Sequence, residues 1–119
     1  MLAACARGPV FAGRAMREVT FGDIRAAARV LLGWPSGTWP EVMHSLLLEA
    51  HCADCYRKRW GRVHPRFGNG TLMSAALSRH PVAEPAPSNP AYLAALAAAI
   101  AGVLDWKSRN RSDTSATGA

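Results

Sequence analysis

Four helix-start signals divide this chain, and they constrain its fold more than any other feature. Thr20 precedes an apolar run with Asp23 three positions on. Thr38 stands before Glu41 with Pro40 in the first turn, Thr71 follows Asn69-Gly70, and Asn89 precedes Pro90. A side-chain oxygen at such a position accepts from N–H groups that the first helical turn leaves without partners, and proline is at ease in that same turn. After each signal, apolar residues recur every three or four positions, the period of a helix with one buried face. Phe21, Ile24, Ala28 and Leu31 predict such a stripe over 21–32, closed by Gly33 in a left-handed conformation and by Pro35. Trp39, Val42, Met43, Leu46, Ala50, Ala53 and Trp60 predict the longest helix, over 38–60, ended by Gly61 and Pro65. A third helix is expected over 71–80 and a fourth from Pro90 to about Trp106, with Leu93, Leu96, Ile100, Val103 and Leu104 as its apolar contacts. No run alternates apolar and polar residues as a strand would. The expected fold is all-α: a small bundle of about four helices with a Pro-rich connector over 81–90 before the last helix, and antiparallel neighbours where loops are short.

At 119 residues the chain fits one domain. Half its residues are hydrophobic, but many of these are alanine, so the core is thin in large side chains and docking on a partner or on a second copy would help it. The net charge of +6 and pI of about 10 favour anionic partners without choosing among them. Arg far outnumbers Lys, a habit of composition that raises pI without any function. Cys5, Cys52 and Cys55 are too few, and odd in number, for a disulfide framework, and a reducing cytoplasm is the simpler setting.

Leu2-Ala3-Ala4-Cys5 has the look of a lipoprotein cleavage box, but only Met1 precedes it, and a secretory signal needs an apolar stretch of roughly 7–15 residues there. Residues 1–15 therefore read as a disordered extension or a misassigned start, with Met16 as the true one. Residues 16–106 read as the single helical domain. Residues 107–119, which lack large apolar side chains, read as a disordered tail. The apolar run 91–104 is shorter than the roughly 20 residues a bilayer requires, so no membrane role is expected.

Function, if written anywhere, is written in 49–71. Arg57, Lys58, Arg59, Arg62 and Arg66 cluster there with Tyr56, Trp60 and Phe67, with His51 and His64, and with two cysteines. Guanidinium groups pair bidentately with carboxylates and phosphates, and aromatics can stack on bases, but cations also suit a helix C-terminus with no ligand at all. Trp60 falls on the core stripe, which favours packing over stacking. Gly68-Asn69-Gly70-Thr71 resembles an anion-holding loop before a helix, but it lacks the lysine of a phosphate-binding loop, so a capped tight turn is the plainer reading. His51 and Cys55 lie one helical turn apart, as do Cys52 and Cys55. Zinc can use such pairs, yet no second ligand pair follows at a fixed spacing. The carboxylates are scattered singly, and Asp54 is placed to pair with Lys58 at i+4. No cofactor, no metal and no enzymatic activity are expected.

M-R-E-V-T-F-G-D-I-R-A-A-A-R-V-L-L, then E-A-H-x-A-D-x-Y-R-K-R-W-G-R-x-H-P-R-F-G-N-G-T-L-M-S-A-A-L, then a Pro linker and a last helix, resemble a family of short, uncharacterised all-helical alphaproteobacterial proteins. The resemblance covers 16 to about 106 and is most specific over 56–77. It implies no activity and supports Met16 as the start. The expectation is thus a small, cytoplasmic, non-enzymatic protein: a protein-binding adaptor or self-associating unit that uses Tyr56, Arg57, Lys58, Arg59, Arg62, His64, Arg66, Phe67, Asn69 and Thr71 for a partner or anion. The alternative is a nucleic-acid-binding regulator using the same cluster with Arg109 and Arg111, and the third is a metal or redox site at His51, Cys52 and Cys55.

Overall fold

The computed structural model of the chain describes the backbone of residues 18–118 and the side chains as far as Arg109; the expected extension over 1–15 lies outside the described residues. Four α-helices follow in order: α1 (Phe21–Leu31), α2 (Trp39–Trp60), α3 (Leu72–Leu77) and α4 (Pro90–Gly118), with a 3-10 turn at Ser36–Thr38. The described residues contain no strand, only an isolated bridge between His64 and Gly68. The expectation of a small all-α bundle holds.

Local chemistry explains most of the helix ends. Thr20 and Asp23 form a full capping box: the Thr20 hydroxyl accepts the Asp23 N–H at 3.2 Å, and the Asp23 carboxylate accepts the Thr20 N–H at 2.8 Å. The other oxygen of Asp23 accepts the N–H of Met73 at 2.9 Å, so one buried carboxylate serves the starts of both α1 and α3. Thr71 caps α3 through the Ser74 N–H, and Asn89 caps α4 through the N–H groups of Ala91 and Tyr92. Thr38 does not cap α2. It sits in a helical conformation, and its hydroxyl donates instead to the Pro35 carbonyl at 2.7 Å, because the 3-10 turn brings that acceptor closer than any N–H of α2. The indole of Trp39 anchors the same junction, donating to the carbonyls of Leu31 and Trp34. Gly33 is not left-handed, since α1 unwinds through successive tight turns to Val30 and Leu31; Gly61, with φ of 71°, is the left-handed residue that ends α2. α3 is shorter than expected and stops at Leu77.

The core gathers Ile24, Val30 and Leu31 of α1, Met43, Leu46 and Leu47 of α2, Leu72 of α3 and Tyr92 of α4, closed by alanines from all four helices. Three expectations about buried faces are corrected. Phe21 is exposed, and Val19, just before the cap, packs on the core in its place. Trp60 is 59% exposed, because α2 overhangs the bundle at its last turn. In α4 the buried residues are Tyr92, Ala95, Ala99, Val103 and Trp106, while Leu93, Ile100 and Leu104 face outward. Small side chains let helices approach closely: a Cβ on Gly102 would lie 2.9 Å from the Cβ of Met43. α4 thus turns its alanines, with Leu96 at the edge, to the core and leaves Leu93, Ile100 and Leu104 outside.

α4 carries no proline or glycine between Gly102 and Gly118, and its helical backbone continues past Trp106 to Gly118. Its segment Pro90–Arg109 is long and apolar enough, by length and composition, to cross a membrane, yet one face of it is held in the bundle core. The connector before it is strapped to α1. Arg25 binds Glu84 bidentately at 2.6 and 2.8 Å, the Tyr92 hydroxyl donates to the same carboxylate at 2.7 Å, and Arg29 exchanges hydrogen bonds with Val82. The Arg25 hydrogen bonds, seconded by that of Tyr92, hold the Glu84 carboxyl down at about 2.

Candidate functional site

The overhanging end of α2 and the loop to α3 fold around one imidazole. His64 is buried, and its Nδ1 accepts the N–H groups of Arg66 and Phe67 at 3.0 and 3.1 Å. Its backbone exchanges two hydrogen bonds with Gly68, closing a tight hairpin in which Gly68 has φ of 92°. A side chain at Gly68 would collide with Ser74 even if the dihedral were tolerated. Phe67 stacks on the imidazole at 4.6 Å, and Tyr56 of α2 meets it edge-on at 4.8 Å. A ring nitrogen that accepts two N–H groups carries no proton. Burial first, and the Arg66 charge second, push the His64 pKa below its ordinary value, consistent with that role.

This knot divides the expected site residues into two groups. Tyr56, His64, Phe67, Asn69 and Thr71 are structural. The Asn69 side chain accepts from the N–H and hydroxyl of Thr71, and the Asn69 N–H donates to Ser74. With the Met73 and Ser74 N–H groups also engaged, 68–71 is the capped tight turn that the sequence favours over an anion-holding loop. Lys58 is drawn back along the helix to Asp54 at 3.1 Å, the i+4 pair that the spacing predicts. The exposed group is Arg57, Arg59, Arg62 and Arg66, interleaved along the chain with Trp60 and Val63, which are 59% and 57% exposed. The Arg59 guanidinium lies 5.4 Å from the centroid of the Trp60 ring, and that of Arg66 lies 5.8 Å from Phe67. Among the described residues none of these four arginines makes an ion pair, whereas Arg25, Lys58, Arg79 and Arg109 all do. Trp60 and Val63 are the members that helical periodicity missed. The signal that could have found them is position: both flank Gly61, where the helix ends and no packing partner follows.

The cysteine–histidine cluster is assembled differently from the metal reading. His51 Nε2 and Cys55 Sγ come within 3.7 Å, on a side of α2 that is covered rather than open, with the Trp106 ring 5.9 Å from His51. Cys52 is disulfide-bonded, which removes one thiolate from the ligand set. Cys55 is a free thiol, and burial raises its pKa, just as burial lowers that of His51. Among the described residues no three His, Cys, Asp or Glu side chains converge as a metal ion would require.

No curated protein and no solved structure matches the chain. A family model does, over residues 17–103, which includes all four helix starts and the whole His64 hairpin. The chain belongs to this family, a domain of unknown function designated DUF7742.

Proposed function

We propose that the chain is a non-enzymatic binding protein whose contact surface is the overhang of Arg57, Arg59, Trp60, Arg62, Val63 and Arg66, and whose partner is a protein segment carrying acidic residues beside an apolar one. The observation that carries this reading is the run of four exposed arginines, without an ion pair among the described residues, interleaved with exposed Trp60 and Val63 over the last turn of α2 and the loop that leads into the His64 hairpin. Cations left without carboxylates on a chain of net charge +6 raise the local positive potential, which steers acidic partners. An exposed Trp flanked by Arg matches the residue types that dominate interface energetics. The buried or half-buried carboxylates serve structure instead: Asp23 holds two helix starts, and Glu49 holds Arg79.

The second reading, nucleic-acid binding through the same arginines, is favoured by the Arg59–Trp60 platform, which could receive a base. A titration of the full chain separates the two. Labelled DNA, labelled RNA and a labelled Glu-rich peptide with one Leu are compared at low salt and at about 150 mM. The protein reading expects the peptide to stay bound at the higher salt and to be released by Trp60→Ala, with nucleic-acid affinity collapsing. DNA or RNA binding that survives while the peptide is lost replaces it with the second reading.

A further inference from the structure

From Ala91 to Leu104 helix α4 is apolar around its whole circumference, yet only one face is covered. A helix apolar on every side is ordinarily enclosed on every side. Here Leu93, Ile100 and Leu104 are 51%, 43% and 61% exposed, with exposed Ala97 among them. At 3.6 residues per turn these four positions fall within an arc of about 60°. A separate hollow of about 330 Å³ between α2 and α4, lined by Leu47, Ala98, Ala101 and Trp106 with His44 and Asp105, lies around the helix from this stripe.

We propose that this stripe is the interface of an antiparallel homodimer, with α4 of a second copy as its occupant. The pattern is self-complementary. Positions 93, 97, 100 and 104 have the same spacing read in either direction, so an antiparallel register sets Leu93 of one copy against Leu104 of the other and seats Ile100 over Ala97 at the two central sites. The interface is then isologous and closes on itself. Charge allows this arrangement and opposes the parallel one. No charged residue lies between Glu84 and Asp105. The antiparallel register places the two copies of Lys107 about 25 Å apart along the axis, beyond a Debye length of about 8 Å. A parallel pair would stack them. A bilayer is the poorer occupant, because crossing it would strip Tyr92, Ala99 and Trp106 from the core, and a helix lying flat on lipid wants basic residues bordering its apolar face, which 91–104 lacks. Three half-exposed large side chains fall short of the roughly 800 Å² per partner of a standard stable interface, so the association is a weak, concentration-dependent equilibrium.

The test is sedimentation velocity of the full chain over a wide concentration series. The average mass should rise toward that of a dimer. Ile100→Glu and Leu104→Glu, each checked for unchanged helical circular dichroism, should remain monomers. Ala97→Lys should also remain a monomer alone, but mixing it with Ile100→Glu should restore a heterodimer, because the register sets residue 97 against residue 100. A monomer at every concentration overturns the proposal, as does a dimer indifferent to both glutamates. A monomer that co-floats with phosphatidylcholine–phosphatidylglycerol vesicles assigns the stripe to lipid instead. A dimer that emerges only after removal of residues 1–17 assigns it to the chain's own N-terminal segment.

Discussion

Replacing His64 separates its roles as acceptor and as ring. His64→Ala removes the acceptor for two backbone N–H groups and both aromatic contacts. Each hydrogen bond contributes about 0.5–1.5 kcal/mol net, toward the lower end here because water can reach the exposed loop, and the aromatic contacts add about 1 kcal/mol. The expected loss is about 2–3 kcal/mol. His64→Asn places an oxygen near the position of Nδ1 and can keep the turn's hydrogen bonds, so its loss should be only about 1 kcal/mol. Protonation provides a second readout. The folded-state pKa of His64 lies below the unfolded value, so the native state resists the proton. The stabilising contribution is full above the unfolded value of about 6.5 and declines as pH falls from there toward the folded pKa. Arg66 from the hairpin and Tyr56 from α2 are the ionisable neighbours that face the ring, and the Arg66 charge acts in the same direction as burial. His51 shifts in the same sense, so the wild type alone cannot isolate the effect; the difference between wild type and His64→Asn can. Urea unfolding at pH 8 and pH 5 supplies all the numbers. Equal losses for the Ala and Asn variants, or a wild-type advantage over His64→Asn that stays constant between the two pH values, would refute the account of the knot.

Three further outcomes follow from the packing. Asp23→Ala should cost about 2–3 kcal/mol in urea unfolding, since it removes acceptors at the starts of both α1 and α3, and a loss near zero would show that water replaces them. Gly102→Ala, which in an ordinary helix stabilises by up to about 1 kcal/mol, should instead destabilise by about 1–2 kcal/mol because of the Met43 clash; a gain in melting temperature would contradict the close approach of α2 and α4. Glu84 is held down at about 2, below its unfolded value, so its contribution is present above about pH 4.5 and lost as pH falls toward 2. The stability gap between wild type and Glu84→Gln should therefore shrink over that window, and a gap independent of pH would remove the Arg25–Glu84 strap from the account.

The parts of the fold legible in the sequence were those decided within a few residues. Thr20, Thr71 and Asn89 cap as expected because the N–H groups they serve lie two or three positions on. Thr38 fails for an equally local reason that spacing does not reveal, the nearer Pro35 carbonyl. Periodicity found the helices but misjudged a position or more on three of their faces, Phe21 of α1 among them, because it counts apolar residues and ignores how closely backbones approach. α4 buries Ala95 and Ala99 rather than Leu93 and Ile100, and Trp60 lies on the correct stripe at a height where the bundle has ended. The basic cluster was visible as composition. Its division into an exposed set and a buried knot was not, since that depends on the single imidazole that the hairpin closes around.

The measurement that bears most directly on the overhang as a protein-binding surface is affinity capture with the full chain as bait, after nuclease treatment. It compares wild type, the double variant Trp60→Ala/Arg62→Glu, and Leu77→Glu, an exposed position of α3, as a surface control. Trp60 and Arg62 are exposed and stand outside the hydrophobic core, Trp60 meeting the Tyr56 ring at 6.4 Å, so the double variant should fold. A central Trp–Arg anchor is worth about 2 kcal/mol or more, roughly a 30-fold loss of affinity. The result predicted is a defined protein retained by wild type and by Leu77→Glu and lost with the double variant. Capture that is unaffected by the double variant, or that disappears with nuclease, would contradict it.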